Sequence, residues 1–429
     1  MKHTKYVIVL GDGMSDLVSL TDTPLARAKK PAMDSLASKG VVGLCRTIPE
    51  GVSPGSDAAN MSILGYDPRK YYCGRSSLEA LSLGIKLSAG DKTYRANLVT
   101  LSEDRAYEDK NILDYSGGEI STEDARVLIE YLKQNLDLSG MELHAGVMYR
   151  HCLVRRQMRV AHLAMDNGQW TVKDVRENSQ QQLSTVNCQL STVFTPPHEI
   201  TGRFIKDYLP KGEFADRALD LMAKSFDLLN KHPLNIARKE NGLPPANSLW
   251  LWGEGTAPRF YDFAEKYGKT GAVVSAVDII KGLGLAAGLD AVDVPGATGT
   301  LDTNYRGKVA AVMAALQKHD FAFIHVEAPD ECGHRRDAAL KTKAIELLDS
   351  EVVAPLVEKL NKSDCRWRML ITPDHATPIS TGGHSSDPVP YILYDSAVDT
   401  KRGGGYCEKC AVAGGTLSDT PLIQRLFED

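Results

Sequence analysis

Short apolar runs that stop at a carboxylate or an imidazole recur in this chain, and no other feature limits its fold so tightly. The first is "KYVIVLGDGMSD", where Val7 to Leu10 read as a buried strand and Asp12 sits between Gly11 and Gly13 just past its end. The two glycines free the backbone for a tight turn. Ligands of open α/β sheets gather outside the carboxyl ends of strands, so Asp12 stands where a ligand-binding group belongs. The competing reading is an Asx-type turn residue. The stretch is a poor dinucleotide fingerprint, because the third glycine position holds Asp16.

Strand-like and helical patterns alternate at both ends of the chain. "YVIVLG" is followed by "KKPAMDSLASKG", where Pro31 suits a first helical turn and Gly40 a C-cap, and then by "VVGLCR". Later come "SLWLWG", "GAVVSA", the helical "DIIKGLGLAAGL", "FAFIHVEA", an amphipathic helix over 337–360 and "RMLITPD". Such alternation predicts an α/β fold with a mostly parallel sheet flanked by helices. The middle reads differently. Strands such as "YRANLVTL" and "YRHCLVRR" mix there with one clear helix, "STEDARVLIEYLKQN", which Ser121 is placed to cap. The expected organisation is a discontinuous main domain, 1–87 with 198–429, interrupted by a smaller α+β insert over 88–197.

The chain has 429 residues, with 43% hydrophobic and 24% charged residues and a formal net charge of −5. These are ordinary values for a globular protein and carry no electrostatic footprint of a nucleic-acid or membrane-surface partner. The N-terminal stretch lacks the apolar core of a signal peptide, and no run reaches the ~18 apolar residues of a membrane helix. The expectation is a cytoplasmic protein, monomeric or a small homo-oligomer. Eight cysteines, mostly scattered, read as reduced thiols. Cys407 and Cys410 form the single CxxC, weak grounds for a redox or zinc role.

Further metal-type ligands follow the later apolar runs. "HVEAPDECGH" supplies Asp330 and His334, one helical turn apart; "LITPDHATP" supplies Asp374 and His375 side by side; "STGGHSSDPVP" adds His384 on a glycine-flanked loop. If the sheet is parallel, these groups and Asp12 meet at one edge. Singly, each has a plain alternative as a turn, cap or loop residue. Together they suffice for two divalent cations; carboxylate and imidazole ligands suit manganese, zinc or magnesium, and the lack of a cysteine argues against a structural zinc site. A two-metal site commonly serves phosphoryl transfer. The candidate attacker is Ser56 in "PGSDAAN", after a Pro-Gly turn and before a helix start whose N–H groups can hold phosphate oxygens. An N-cap role is its alternative.

"GDGMSD", "PGSDAANMSILGYDP", "GRSSLEALSLG", "PDECGH", "PDHATP" and "GGHSSDPVP" resemble the archaeal-type, cofactor-independent phosphoglycerate mutases of the alkaline phosphatase superfamily. "GATGTLDTNYRGK" and "KHPLN…PPAN" also resemble stretches of that family, and the likeness spans nearly the whole chain in the family's order. The resemblance implies that Asp330, His334 and His384 hold one metal, and that Asp12, Asp374, His375 and Ser56 hold the other. It implies manganese, with magnesium or zinc as alternatives. Ser56 would take the phosphoryl group from 3-phosphoglycerate and return it to the 2-hydroxyl of the retained glycerate, with no bisphosphoglycerate. For the substrate's charges the candidates are Arg75, Arg150, His151 and Arg238, each equally readable as a surface or salt-bridge residue, with Asp57 for hydroxyls or a proton or simply as a helix-start carboxylate.

One stretch departs from the family. Where its mutases often carry an arginine in an "RGAG"-like turn, this chain has "SLWLWGEGTAP", with Trp252 and Glu254. Such residues suit an ammonium group, and "HVEAPDECGH" resembles a bacterial subgroup that includes proposed homoserine kinases. Phosphoryl transfer from ATP to homoserine is therefore the alternative activity, and a metal-dependent phosphatase a further one.

Overall fold

The computed structural model describes residues 4–103, 106–157, 191–398, 400, 404–417 and 421–428, and the backbone of two short strands at 162–166 and 169–173. The chain divides into two compact units, 1–72 with 259–429, and 73–258.

The first unit is built on an eight-stranded sheet in the order Asp290–Val292, Gly271–Val274, Phe321–Val326, Thr4–Gly11, Arg366–Thr372, Val389–Asp395, Val41–Cys45 and Thr416–Leu417. The first five are parallel, and Val389–Asp395 runs against both of its neighbours. Thr4–Gly11 lies at the centre, with Leu10 opposite His325 on one side and Thr372 on the other. The central strands are buried on both faces, which is why they read as unbroken apolar runs. That register brings the segments after Gly11, Val326 and Thr372 to one edge of the sheet. Pro31 opens the helix Pro31–Lys39 and Gly40 closes it. The helix expected over 337–360 is helical throughout but contains a π-helical turn, Leu348–Val353, between Ala338–Leu347 and Ala354–Asn361. Pro355 has no N–H to donate, so the regular ladder breaks ahead of it. The wide turn aims the buried Asp349 carboxylate at the N–H groups of Ala32 and Met33, 3.2 and 2.7 Å away.

The second unit holds an antiparallel sheet in the order Ser248–Thr256, Lys92–Leu101, Arg150–Arg155 and Met141–His144, with Ile112–Asp114 added to Lys92–Leu101. Side chains alternate between its faces. Leu153 enters a large core with Leu128, Leu132, Leu221 and Met222, while Cys152 and Val154 pack against Ala80 and Ile85. The helix Thr122–Asn135 starts at Ser121, whose side chain accepts from Asp124 N–H.

"SLWLWG" is an antiparallel strand of this second sheet. It reads like a parallel-sheet strand because Leu249, Trp250, Leu251 and Trp252 are all buried. The expected insert, 88–197, falls inside the second unit, but 73–87 and 198–258 cluster with it. The helix Ala215–Leu229 supplies its core and Ser248–Thr256 pairs with Lys92–Leu101.

Candidate active site

The groups that end the apolar runs converge in the first unit. Ligand atoms of Asp12, Asp374 and His375 lie within 4.8 Å of one another, and so do those of Asp330, His375 and His384. His334 joins them through Nε2, 3.0 Å from Asp330 Oδ2 and 3.1 Å from His384 Nε2. Asp12, Asp330, Asp374 and His375 are buried. Gly13 makes the convergence feasible. Its φ of +55° suits glycine, and a Cβ there would strike the Asp330 carboxylate and Thr377 Oγ1. Its N–H donates to Asp374 Oδ1 at 3.1 Å.

Ser56 is the first residue of the helix Ser56–Ile63, with Gly55 as N-cap. Its Oγ lies 3.2 Å from His375 Nε2. Asn60, one turn on and fully buried, donates through Nδ2 to Ser56 O at 2.7 Å and to Asp374 Oδ2 at 3.0 Å. The helix start is thereby tied to the cage.

So much buried negative charge calls for cations. Burial, then the neighbouring carboxylates Asp374, Asp330 and Glu327, push the Asp12 carboxyl well above its usual range. Burial acts on Asp330 in the same direction, but hydrogen bonds from His334 and His384 outweigh it and hold that carboxyl low. The Asp330 hydrogen bond raises His334 to about 9. Asp12 Oδ1 is buried with no hydrogen-bond partner. An orphaned carboxylate oxygen among imidazole and carboxylate ligands fits the hard-to-borderline divalent cations expected from the sequence.

Several residues behind the cage escape a reading of the sequence. His325 lies inside the strand Phe321–Val326, yet its Nε2 is 2.8 Å from Asp12 Oδ2. Lys308, fully buried, donates to the His325 carbonyl at 3.1 Å. Asn60 has a readable signal, since four residues after Ser56 it shares that side chain's helical face. His325 has none, because a buried strand gives no hint which neighbour a polar side chain meets.

The substrate-side candidates divide. Asp57 accepts from Tyr72 Oη at 2.9 Å and from Ala58 N–H. In the second unit Arg75 Nε is 3.1 Å from Glu79, and Arg150 is exposed with its guanidinium 5.5 Å from the Tyr149 ring centre. His151 is buried; its Nδ1 accepts from Gly146 N–H at 3.1 Å, its Nε2 has no partner, and burial pushes its pKa down to about 3. Arg238 is a structural residue instead. It is buried, donates to the carbonyls of Pro244 at 3.1 Å and Gly117 at 2.8 Å, and lies 3.5 Å from Asp124. Two loop carbonyls at a helix end need these donors, so its guanidinium is committed to the fold. Arg95, absent from the sequence candidates, pairs with Glu79 at 2.8 Å and stacks 4.0 Å over Trp252.

Trp252 and Glu254, the residues suited to an ammonium group, are both engaged by side chains of the second unit. Glu254 is buried against Lys92 Nζ at 2.6 Å and also accepts from Thr192 N–H at 2.7 Å. Arg95 covers the Trp252 ring, whose Nε1 donates to Asn97 at 3.0 Å. Cys407 and Cys410, the single CxxC, form a disulfide, while Cys45, Cys152, Cys332 and Cys365 are free thiols.

A family profile described as 2,3-bisphosphoglycerate-independent phosphoglycerate mutase matches residues 37–235. The chain is 44% identical over 425 residues to the mutase of that name from Methanosarcina barkeri, covering 98% of both chains. It is 45% identical over 417 residues to a probable one from Geobacter sulfurreducens, covering 96% of both. Among solved structures, a Pyrococcus horikoshii protein superposes with a TM-score of 0.76 at 26% identity, over 100% of this chain and 98% of that one. The cofactor-independent phosphoglycerate mutase of Thermoplasma acidophilum gives 0.61 at 25% identity, over 99% of both. With this identity sustained from end to end, the chain belongs to the 2,3-bisphosphoglycerate-independent phosphoglycerate mutases.

Proposed function

We propose that the chain interconverts 3-phosphoglycerate and 2-phosphoglycerate by passing the phosphoryl group through Ser56. In the forward direction Ser56 Oγ attacks phosphorus and the bond to the substrate's 3-oxygen breaks. The retained glycerate turns, and its 2-hydroxyl oxygen attacks the phosphoserine, regenerating Ser56. No second phosphorylated molecule is consumed.

Two divalent cations, of which manganese is the proposed choice, would be held by Asp330, His334 and His384 and by Asp12, Asp374, His375 and Ser56. Bound there they supply charge neutralisation and a more acidic serine hydroxyl. The protein's part is positioning, which dominates catalysis of a loose phosphoryl transfer. Asn60 holds the first turn of the serine helix against Asp374. Gly13 lets two ligand loops approach and steadies Asp374 through its N–H. Arg75, Arg150 and His151 are proposed to meet the substrate's carboxylate and phosphate, and Asp57 its hydroxyls.

The observation that carries this reading is the Ser56 hydroxyl 3.2 Å from His375 within a cage whose buried Asp12 oxygen lacks a partner. The test is to give purified protein and manganese 3-phosphoglycerate alone, then ATP with homoserine. Appearance of 2-phosphoglycerate in the first assay and no phosphohomoserine in the second is the expected result. The reverse pattern, or release of inorganic phosphate alone, overturns it.

A further inference from the structure

The Cys407–Cys410 pair is not part of the ligand set, but Glu408 between the two cysteines bonds to the segment that carries Asp12. Glu408 is buried; its Oε1 accepts from Asp16 N–H at 2.8 Å and its Oε2 from the Thr23 hydroxyl at 2.7 Å. Asp16 ends the turn that carries Asp12, and its own Oδ2 accepts from Ile379 N–H at 3.1 Å, in the turn that follows His375. Thr377 N–H donates to Ser15 O at 3.2 Å, and the buried Lys341 ammonium bonds both Ser15 O at 2.9 Å and Thr377 O at 2.7 Å. Two ligand-bearing loops are thus stitched together, and Glu408 anchors the seam from the outer side.

The pair is built for exchange. Its Cα atoms are 5.1 Å apart, within the span a disulfide bridges without backbone movement. Cys410 is exposed and Cys407 half-buried, whereas the free Cys45, Cys152 and Cys332 are buried. The bridge closes a ring of four residues around Glu408, fixing the backbone that aims its carboxylate.

We infer that Cys407–Cys410 is a reversible thiol–disulfide site whose oxidised form, through Glu408 and Asp16, holds the two metal-ligand loops in register. This rests on the two-metal reading of the site. A thiolate of an external dithiol attacks the exposed Cys410 sulfur, the S–S bond breaks, and Cys407 leaves as a thiolate that takes a proton. The reagent's second thiol then displaces Cys410, which is also protonated. The protein pair gains two electrons and two protons, and the dithiol becomes a cyclic disulfide. Reduction frees the Glu408 backbone and loosens the seam behind Asp12 and His375.

The experiment compares metal-free protein as purified in air with the same protein reduced by dithiothreitol and freed of it anaerobically. Alkylation with peptide mapping reads the pair, and calorimetric titration with manganese reads the site. The expected result is a pair protected from alkylation until reduced, and manganese affinity about tenfold weaker after reduction, the low end of the cost of disturbing groups behind a metal ligand. The double variant Cys407→Ser/Cys410→Ser should show the weaker affinity whatever the treatment. Glu408→Gln should bind more weakly in both states and lose the redox difference. Alkylation of the pair before reduction, or equal affinity in both states of the parent chain, overturns the inference while leaving the metal site intact. No manganese binding in either state removes both.

Discussion

His325 Nε2 lies 2.8 Å from Asp12 Oδ2, and Ser275 Oγ lies 3.2 Å from the same ring's Nδ1. Asp12 offers Nε2 a carboxylate acceptor, and the Ser275 hydroxyl, which accepts from Val277 N–H, has a proton to offer Nδ1; the tautomer with its proton on Nε2 satisfies both contacts. The imidazole orients one carboxylate oxygen and leaves the orphaned Oδ1 for a cation. Removing it with His325→Ala should weaken manganese binding by about 10–100-fold, the usual cost of losing the group that orients a ligand. Turnover at saturating manganese should fall much less. His325→Gln, which keeps a donor, should recover part of the affinity. Calorimetry on metal-free protein checks both; unchanged affinity in the alanine variant contradicts the role.

Gly13→Ala should damage the cage directly. The positive φ alone costs a side-chain-bearing residue about 1–2 kcal/mol, and the new methyl meets Asp330 and Thr377. Lower thermal stability together with weaker metal binding is expected. Loss of stability with unaltered metal binding would mean that the two loops tolerate separation.

Arg238→Met distinguishes a structural arginine from a substrate clamp. Its loss strands the Gly117 and Pro244 carbonyls, so denaturant unfolding should show about 2 kcal/mol or more of lost stability. The KM for 3-phosphoglycerate should not change. A large rise in KM at unaltered stability would restore Arg238 to the substrate.

His151 carries a pH signature. Burial holds its folded pKa near 3 against an ordinary 6.5. Between those values the unfolded chain binds the extra proton, so the folded state loses stability as pH falls through that window, by up to about 1.4 kcal/mol per pH unit. His151→Asn keeps an acceptor near Gly146 N–H and has no proton to gain. Its unfolding free energy should therefore decline less between about pH 6 and 4. Parallel profiles for parent and variant would contradict this.

What the sequence discloses follows from how each group is held. Asp12 and Asp374 are legible because parallel strands buried on both faces read as apolar runs, and the next polar residue marks the sheet edge. Ser56 is legible from its Pro-Gly turn and helix start. Arg238 looks like a binding residue because nothing local shows that Gly117, far off in the chain, needs a donor. Glu254 reads as a lure for an ammonium group until Lys92 is seen across the strand pair. Trp250 and Trp252 disguise an antiparallel strand, since both of its faces are covered. His325 and Glu408 act through partners more than 300 residues distant in sequence, a relation that periodicity does not encode.

The most direct measurement is the identity of the phosphorylated residue during turnover. Protein loaded with manganese is mixed with 3-phosphoglycerate labelled in its phosphoryl group, quenched in acid, digested and mapped by mass spectrometry. The label should reside on Ser56, and Ser56→Ala should carry none and lose more than about 10⁴-fold in turnover while keeping its fold. Label on another side chain, or near-normal turnover in the alanine variant, would contradict the assignment of that hydroxyl as the phosphoryl carrier.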